Sequence, residues 1–245
     1  MFFITFATEY ISATSSRSMR VEDKIKYKTY FGDCPSKAAG SLTLNLVKSF
    51  EKNKSLRELK LKIKKERLYQ KHFLKNYSIK FNPIENLLSF KFECPRPLMK
   101  TQIYKKNGID SYEAILVDTG ELFDPTYEVL LRSENKLNFD LPSLALPVNN
   151  IDSSIQKEIT QLIKSRDVEF RKKLSEIIVD EQKELTVILS VNGNPSSAFF
   201  GRGKWSEKLA KLQKIVSYME KKRKFPAIIN LTNSNKVVVK FNDKF

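Results

Sequence analysis

From residue 42 onward apolar positions recur with regular spacing, but the spacing changes along the chain. Between Leu42 and Phe73 it is ambiguous. LTLNLVKSF suits a helix, Leu59, Leu61 and Ile63 alternate as in a strand, and Leu56, Leu59 and Ile63 equally make a helical stripe. After Pro83 the alternation sharpens. Ile84, Leu88, Phe90 and Phe92 lead through LLSFKFEC into Cys94-Pro95-Arg96-Pro97, and MKTQIYK reads as a second strand. Proline cannot donate to a ladder, so the turn belongs at Pro95 and Pro97. AILVD, the turn Thr119-Gly120 and ELF predict a further strand-turn-strand, and Leu141-Pro142 and Leu146-Pro147 close this stretch.

Residues 153–179 predict one amphipathic helix. Ser153 and Gln156 have capping-box spacing, and Ile155, Ile159, Leu162, Ile163, Phe170, Leu174, Ile177 and Ile178 fall on one face. TVILSV predicts a buried strand, Asn192-Gly193-Asn194-Pro195 its turn, and SAFFG the next strand. A second helix covers about 205–222, with Trp205, Leu209, Leu212, Val216 and Met219 on one stripe; Pro226 stops it. AIINL and KVVVKF follow as strands around the polar turn TNSN. The order β-α-β-β-α-β-β, without long parallel crossovers, predicts an α+β fold.

Composition narrows the function classes. The 245 residues carry 44 Lys and Arg against 28 Asp and Glu, a net charge of +16, which suits an acidic neighbour such as nucleic acid, anionic lipid or an acidic protein. The charge is uneven. Residues 1–110 hold 23 basic and 10 acidic side chains, residues 111–150 hold 2 and 7, and residues 151–245 hold 19 and 11. That reversal predicts at least two structural units, with the apolar N-terminus and linker at 1–40, one unit at 41–110 and another at 111–245. A nucleic-acid-binding protein is the alternative, but such proteins gather charge into one groove or helix, and no helix-turn-helix or ribonucleoprotein pattern is present. Residues 1–11 (MFFITFATEYI) are too short to span a bilayer and lack a basic leader. They read either as half of a membrane anchor that starts upstream or as an apolar terminus.

Candidate chemistry is sparse. The single His72 removes most metal sites and nearly every nucleophile-base pairing. Cys34 and Cys94 lie 60 residues apart; they are either two unrelated small residues or one disulfide of an oxidising compartment. Gly201-Arg202-Gly203 lacks the remainder of a phosphate loop and reads as a turn. Asp118, Glu121 and Asp124 read as a solvated turn around Gly120, and Lys221-Lys222-Arg223-Lys224 as a basic helix end complementing the dipole. Trp205 belongs to its helix stripe. No catalytic residue, cofactor or metal ligand is expected.

Several loose patterns in order resemble the FtsQ/DivIB family of bacterial cell-division proteins. SFKFECPRPLMKTQIYK looks like the end of that family's POTRA domain. ILVDTGELFDP, carried by Leu116, Val117, Asp118, Gly120, Leu122 and Phe123, looks like the entry to its β domain, and DLPSLALP like the segment that follows. Gly201 with Lys208, Leu209 and Leu212 is similar to its glycine-lysine helix, and FPAIINLTNSNKVVVKF to its terminal strands, although Asn230 and Thr232 replace the usual Asp and Arg. The resemblance implies a POTRA-like domain at 41–110, a mixed β domain with two amphipathic helices at 111–245, and a single-pass inner-membrane protein whose bulk is extracytoplasmic. It implies a non-enzymatic scaffold of the divisome that binds FtsB/FtsL (DivIC)-type coiled-coil proteins and other divisome components. Membrane attachment through the N-terminus and no nucleic acid complete that expectation. The partner site would lie on the last strand, at Asn233, Asn235, Lys236, Val237, Val238, Val239, Lys240 and Phe241. Alternation puts Val237, Val239 and Phe241 on one face and Val238 and Lys240 on the other. With only NDKF after it, little chain remains to cover its outer edge.

Overall fold

The structure is a computed structural model that describes residues 24–105, 110–233 and 235–241. The apolar stretch 1–11 lies outside the described residues. The fold is α+β, with a small three-stranded sheet followed by a nine-stranded mixed sheet.

The first lobe opens with β1 (Lys26–Tyr30) and continues through α1 (Ser36–Asn53), α2 (Leu56–Lys65), the single turn α3 (Leu68–Lys71), β2 (Asn76–Asn82) and β3 (Leu87–Glu93). The ambiguous 42–73 stretch is helical. In α1, Ala39, Leu42, Leu46 and Phe50 make a buried stripe. In α2, Ser55 caps the Glu58 N–H and Leu59 and Ile63 turn inward, while Leu61 stays exposed. A strand would have buried Leu61 with its neighbours; the cap and the i, i+4 pair decide for helix. Both helices pack on a sheet of order β1-β3-β2, in which β1 runs parallel and β2 antiparallel to β3. Cys34 and Cys94 form a disulfide inside this core, with Cα atoms 5.0 Å apart.

The second lobe comprises β4 (Pro97–Tyr104), β5 (Ser111–Val117), β6 (Leu122–Phe123), α4 (Thr126–Ser133), β7 (Ser143–Pro147), α5 (Ser153–Lys164), α6 (Val168–Lys173) and β8 (Leu174–Val179). It ends with β9 (Leu185–Val191), β10 (Asn194–Gly201), α7 (Trp205–Lys221), β11 (Pro226–Asn230) and β12 (Val238–Phe241). Its sheet runs β12-β11-β10-β9-β8-β7-β4-β5-β6. Helices α5 and α7 cover one face, and Ile155, Ile159, Leu209, Leu212 and Val216 meet Leu144, Ile177, Val187, Leu189 and Ile229 in the main core. The β9–β10 turn is a two-residue hairpin with positive φ at Asn192 and Gly193, the backbone a mirror-image turn demands.

Four expectations are corrected. Strands β3 and β4 do not pair around Pro95 and Pro97: the chain changes sheets there, and Pro97 stands first in β4, where its missing N–H costs no ladder bond. Residue 110 lies between the paired strands β4 and β5 of the larger sheet, and residue 41 lies within α1. The helix drawn over 153–179 ends at Lys164. Asp167 caps the short α6 through the Phe170 N–H at 2.7 Å, and the β-branched run at Ile177–Val179 goes into β8 between β7 and β9. The α5 cap is Asp152, which accepts from the Ser154 N–H, not Ser153. Parallel crossovers do occur: α5 and α6 link β7 to β8, and α7 links β10 to β11.

The two lobes are joined by specific contacts. Pro35 precedes α1 and offers no side-chain cap, so the first N–H groups of that helix lack an intrahelical partner. Glu134 of the second lobe supplies one: its carboxylate accepts from the Ser36 N–H at 2.7 Å, the Lys37 N–H at 3.3 Å and the Ser36 hydroxyl at 2.9 Å. Lys136 donates to the Cys34 carbonyl and pairs with Glu134. The Tyr127 hydroxyl donates to the Pro95 carbonyl, and Phe73 stacks on Tyr127 with centroids 4.6 Å apart. Phe73, Ile115, Val117, Phe123, Tyr127 and Leu131 form a third apolar cluster at this joint.

Two outcomes follow from these contacts. Replacing Cys34 and Cys94 together by serine lowers the unfolding free energy by about 2–4 kcal/mol, because the bridge closes a long loop of the unfolded chain; urea unfolding measures it, and an unchanged midpoint would contradict it. Burial opposes the Glu134 charge, but the Ser36 N–H, Lys136 and the Ser36 hydroxyl outweigh it and hold the carboxyl down at about 2 against its ordinary 4.5. A depressed carboxyl stabilises the fold above its unfolded value and loses that contribution as pH falls towards the folded one. The stability difference between the native chain and Glu134→Gln is therefore full near neutrality and shrinks as pH drops from 4.5 towards about 2. Denaturant titrations of both proteins across that window check the trend.

Candidate partner-binding edge

Strand β12 is the last in the sheet order, with β11 on one side and no strand on the other among the described residues. Its antiparallel register sets Val238 opposite Asn230, Val239 opposite Ile229 and Lys240 opposite Ile228, with an irregularity before Phe241 meets Pro226. Ile229 is fully buried, and its neighbour Val239 leans onto the main core. Val238 and Lys240 lie on the outward face, Val238 being 51% exposed. Phe241 is half-buried, and the Lys224 ammonium lies 5.7 Å from its ring centroid. The strand is short, and Lys240 puts a charge on it, two features that keep an open edge from pairing at random.

The other residues expected here precede the strand. Asn233 accepts from the Asn235 N–H at 2.8 Å, and Asn230 accepts from both the Thr232 N–H and hydroxyl, so the turn is built from asparagine side chains that mimic backbone. Lys236 and Val237 are exposed and lead into β12. The structure thus places Val238–Phe241 on the edge strand and Asn233, Asn235, Lys236 and Val237 in its approach.

Sequence reasoning missed the apolar surface beside this edge. The registers align Phe199, Asn230 and Val238 in one row and Ser197, Ile228 and Lys240 in the next, all on the face away from α5 and α7. Phe199, Ile228 and Val238 are each exposed. The signal was present in SAFFG and AIINL, whose alternation leaves one apolar residue on the outer face. At the far end of the sheet the same face is covered, since Ile115 and Val117 of β5 turn towards α4 and Phe73.

The remaining singled-out residues have structural roles. Gly201 has a φ of +64°, and a Cβ there would stand 3.3 Å from the Thr232 methyl. The Trp205 indole N–H donates to the Gly201 carbonyl at 2.9 Å. Lys208, 6% exposed, donates to the Phe200 and Arg202 carbonyls at 2.6 and 3.0 Å, and burial pushes its pKa down. The Gly201–Lys208 pattern therefore closes the β10–α7 turn. Asp118 binds Lys75 and the Arg96 N–H, and Asp124 accepts from the Thr126 N–H, so these acids brace turns. His72 is half-buried at the end of α3, and desolvation lowers its pKa. Among the described residues no cluster of His, Cys, Asp or Glu could hold a metal ion, and no helix is long and apolar enough to cross a membrane.

No protein-family model matches the chain, and no curated protein matches it. Among solved structures it is similar to the major extracytoplasmic domain of the trans isomer of the bacterial cell division protein DivIB from Geobacillus stearothermophilus. That likeness has 16% identity and a TM-score of 0.31, over 53% of this chain and 97% of that one.

Proposed function

We propose that this chain is a non-enzymatic scaffold of the bacterial division machinery that recruits an FtsB/FtsL-type partner by strand addition at β12. The observation that carries the reading is the edge itself: among the described residues, main-chain donors and acceptors of β12 face no strand on the outer side, and exposed Val238, Ile228 and Phe199 adjoin them. An extended segment laid along β12 gains ladder hydrogen bonds from the backbone and specificity from alternate side chains. The ordered sequence patterns resembling the FtsQ/DivIB family supply the identity of the partner. The Cys34–Cys94 disulfide suits an extracytoplasmic location. Attachment to the inner membrane through the N-terminus, and a POTRA-like first domain that assists recruitment, belong to the same proposal.

Binding of the FtsB-type protein from the same organism tests the reading. Val238→Asp leaves stability within about 0.5 kcal/mol, as befits an exposed position, yet weakens the complex. Phe241→Ala costs about 2 kcal/mol of binding, the loss common for an aromatic anchor. Val239→Asp destabilises the free protein, because Val239 packs on the core. Pull-downs run beside thermal melts separate these outcomes. Unchanged binding by folded Val238→Asp and Phe241→Ala, and after deletion of 236–245, would overturn the site.

A further inference from the structure

Where the lobes meet beside β6, Lys64, Arg67, Lys75 and Lys157 line an open cleft of about 470 Å³ over the buried side chains of Leu74 and Phe123. The cleft contains one acid, Glu121, which the Thr119 hydroxyl engages at 3.1 Å. Its four cations come from four places: the last turn of α2, the residue before α3, the approach to β2, and α5. Only Lys75 is paired, with Asp118 at 3.3 Å; Lys64, Arg67 and Lys157 have no ion-pair partner among the described residues.

Two details show how closely the surroundings fit around these charges. A Cβ on Gly120 would stand 3.0 Å from Lys157 Cγ and 3.3 Å from its Cα, so the glycine lets the β5–β6 turn close onto the Lys157 stem. Arg67 holds a φ of +48°, a left-handed conformation that a residue with a Cβ seldom adopts. Thr119 and Lys157 also line an adjoining hollow of about 580 Å³ with Lys164 and Thr160. The Thr160 hydroxyl is buried there without a hydrogen-bond partner.

Like charges gathered in a concave site repel one another, and the same field concentrates anions. A guanidinium beside ammonium groups matches phosphate oxygens in both charge and donor geometry. The apolar floor offers contact to an organic remainder. We propose that this cleft binds a ligand bearing two or more negative charges on phosphate, as a free phosphate ester or as a lipid head group. The inference stands apart from the β12 reading, which lies at the other end of the sheet.

The test uses the full chain with two probes, inorganic pyrophosphate in calorimetric titration and phosphatidic acid–phosphatidylcholine vesicles in sedimentation. The cleft pair Arg67→Gln/Lys157→Gln is compared with Lys221→Gln/Lys222→Gln, which removes equal charge elsewhere, and Lys64→Gln/Lys157→Gln serves if the first pair fails to fold. Saturable binding that the cleft pair weakens at least about tenfold, with the control pair little changed, is the expected result. Pyrophosphate binding of that kind identifies a free ester; vesicle binding alone, lost in the cleft pair, identifies a head group. Absence of binding to both probes, or equal weakening by the control pair, would overturn the proposal.

Discussion

The chain crosses from one sheet to the other at residues 94–97, and this crossing is held from both sides. Cys94 is bonded to Cys34 at the entry to α1, while the next carbonyl, that of Pro95, accepts from Tyr127. Arg96 exchanges backbone contacts with Asp118, donating to its carboxylate and accepting from its N–H. On the other strand of the bridge, Cys34 and Ser36 are gripped by Lys136 and Glu134. The disulfide thus links two segments that the second lobe already holds, and the placement of the smaller sheet against the larger depends on that arrangement.

The charge reversal along the chain finds its use here. The acidic stretch 111–150 supplies Asp118 to Lys75 and Glu134 to the N-terminus of α1, while Glu128 is shared between Lys100 and Arg132. Carboxylates from a net-negative segment meet donors from a net-positive one, so part of the uneven composition is complementarity across an internal surface. Lys64, Arg67 and Lys157 around the cleft between the lobes stay outside these pairs.

Much of the second lobe was legible because its apolar periods are long and its turns chemically marked: Asn192-Gly193, Thr119-Gly120 and Pro226 each stand where the backbone changes direction. Residues 174–179 were not. Leu174, Ile177 and Ile178 continue the stripe of α5 and α6 in a helical register, and only pairing with β7 and β9 commits them to a strand. The cap on α1 was equally hidden, because Glu134 lies 98 residues from Ser36. Val238–Phe241 was recognisable as a terminal strand from alternation, but its outer-face neighbours Phe199 and Ile228 become neighbours only through the parallel β10–β11 pairing. Local pattern reports which face a residue takes; which strand stands beside it is a property of the crossover.

The nine-stranded sheet is asymmetric between its ends. At β6 the edge is two residues long and the adjoining sheet face lies under α4 and Phe73; at β12 no described element covers the edge or the outer face. Eight inter-strand spacings of about 4.8 Å separate these ends, so roughly 38 Å lies between them. Any strand added to this sheet would therefore meet an accessible apolar face at β12 and a covered one at β6. A strand added at β12 would lie at the end of the sheet remote from the disulfide-bonded lobe, so the two ends of the molecule differ in chemistry as well as in position.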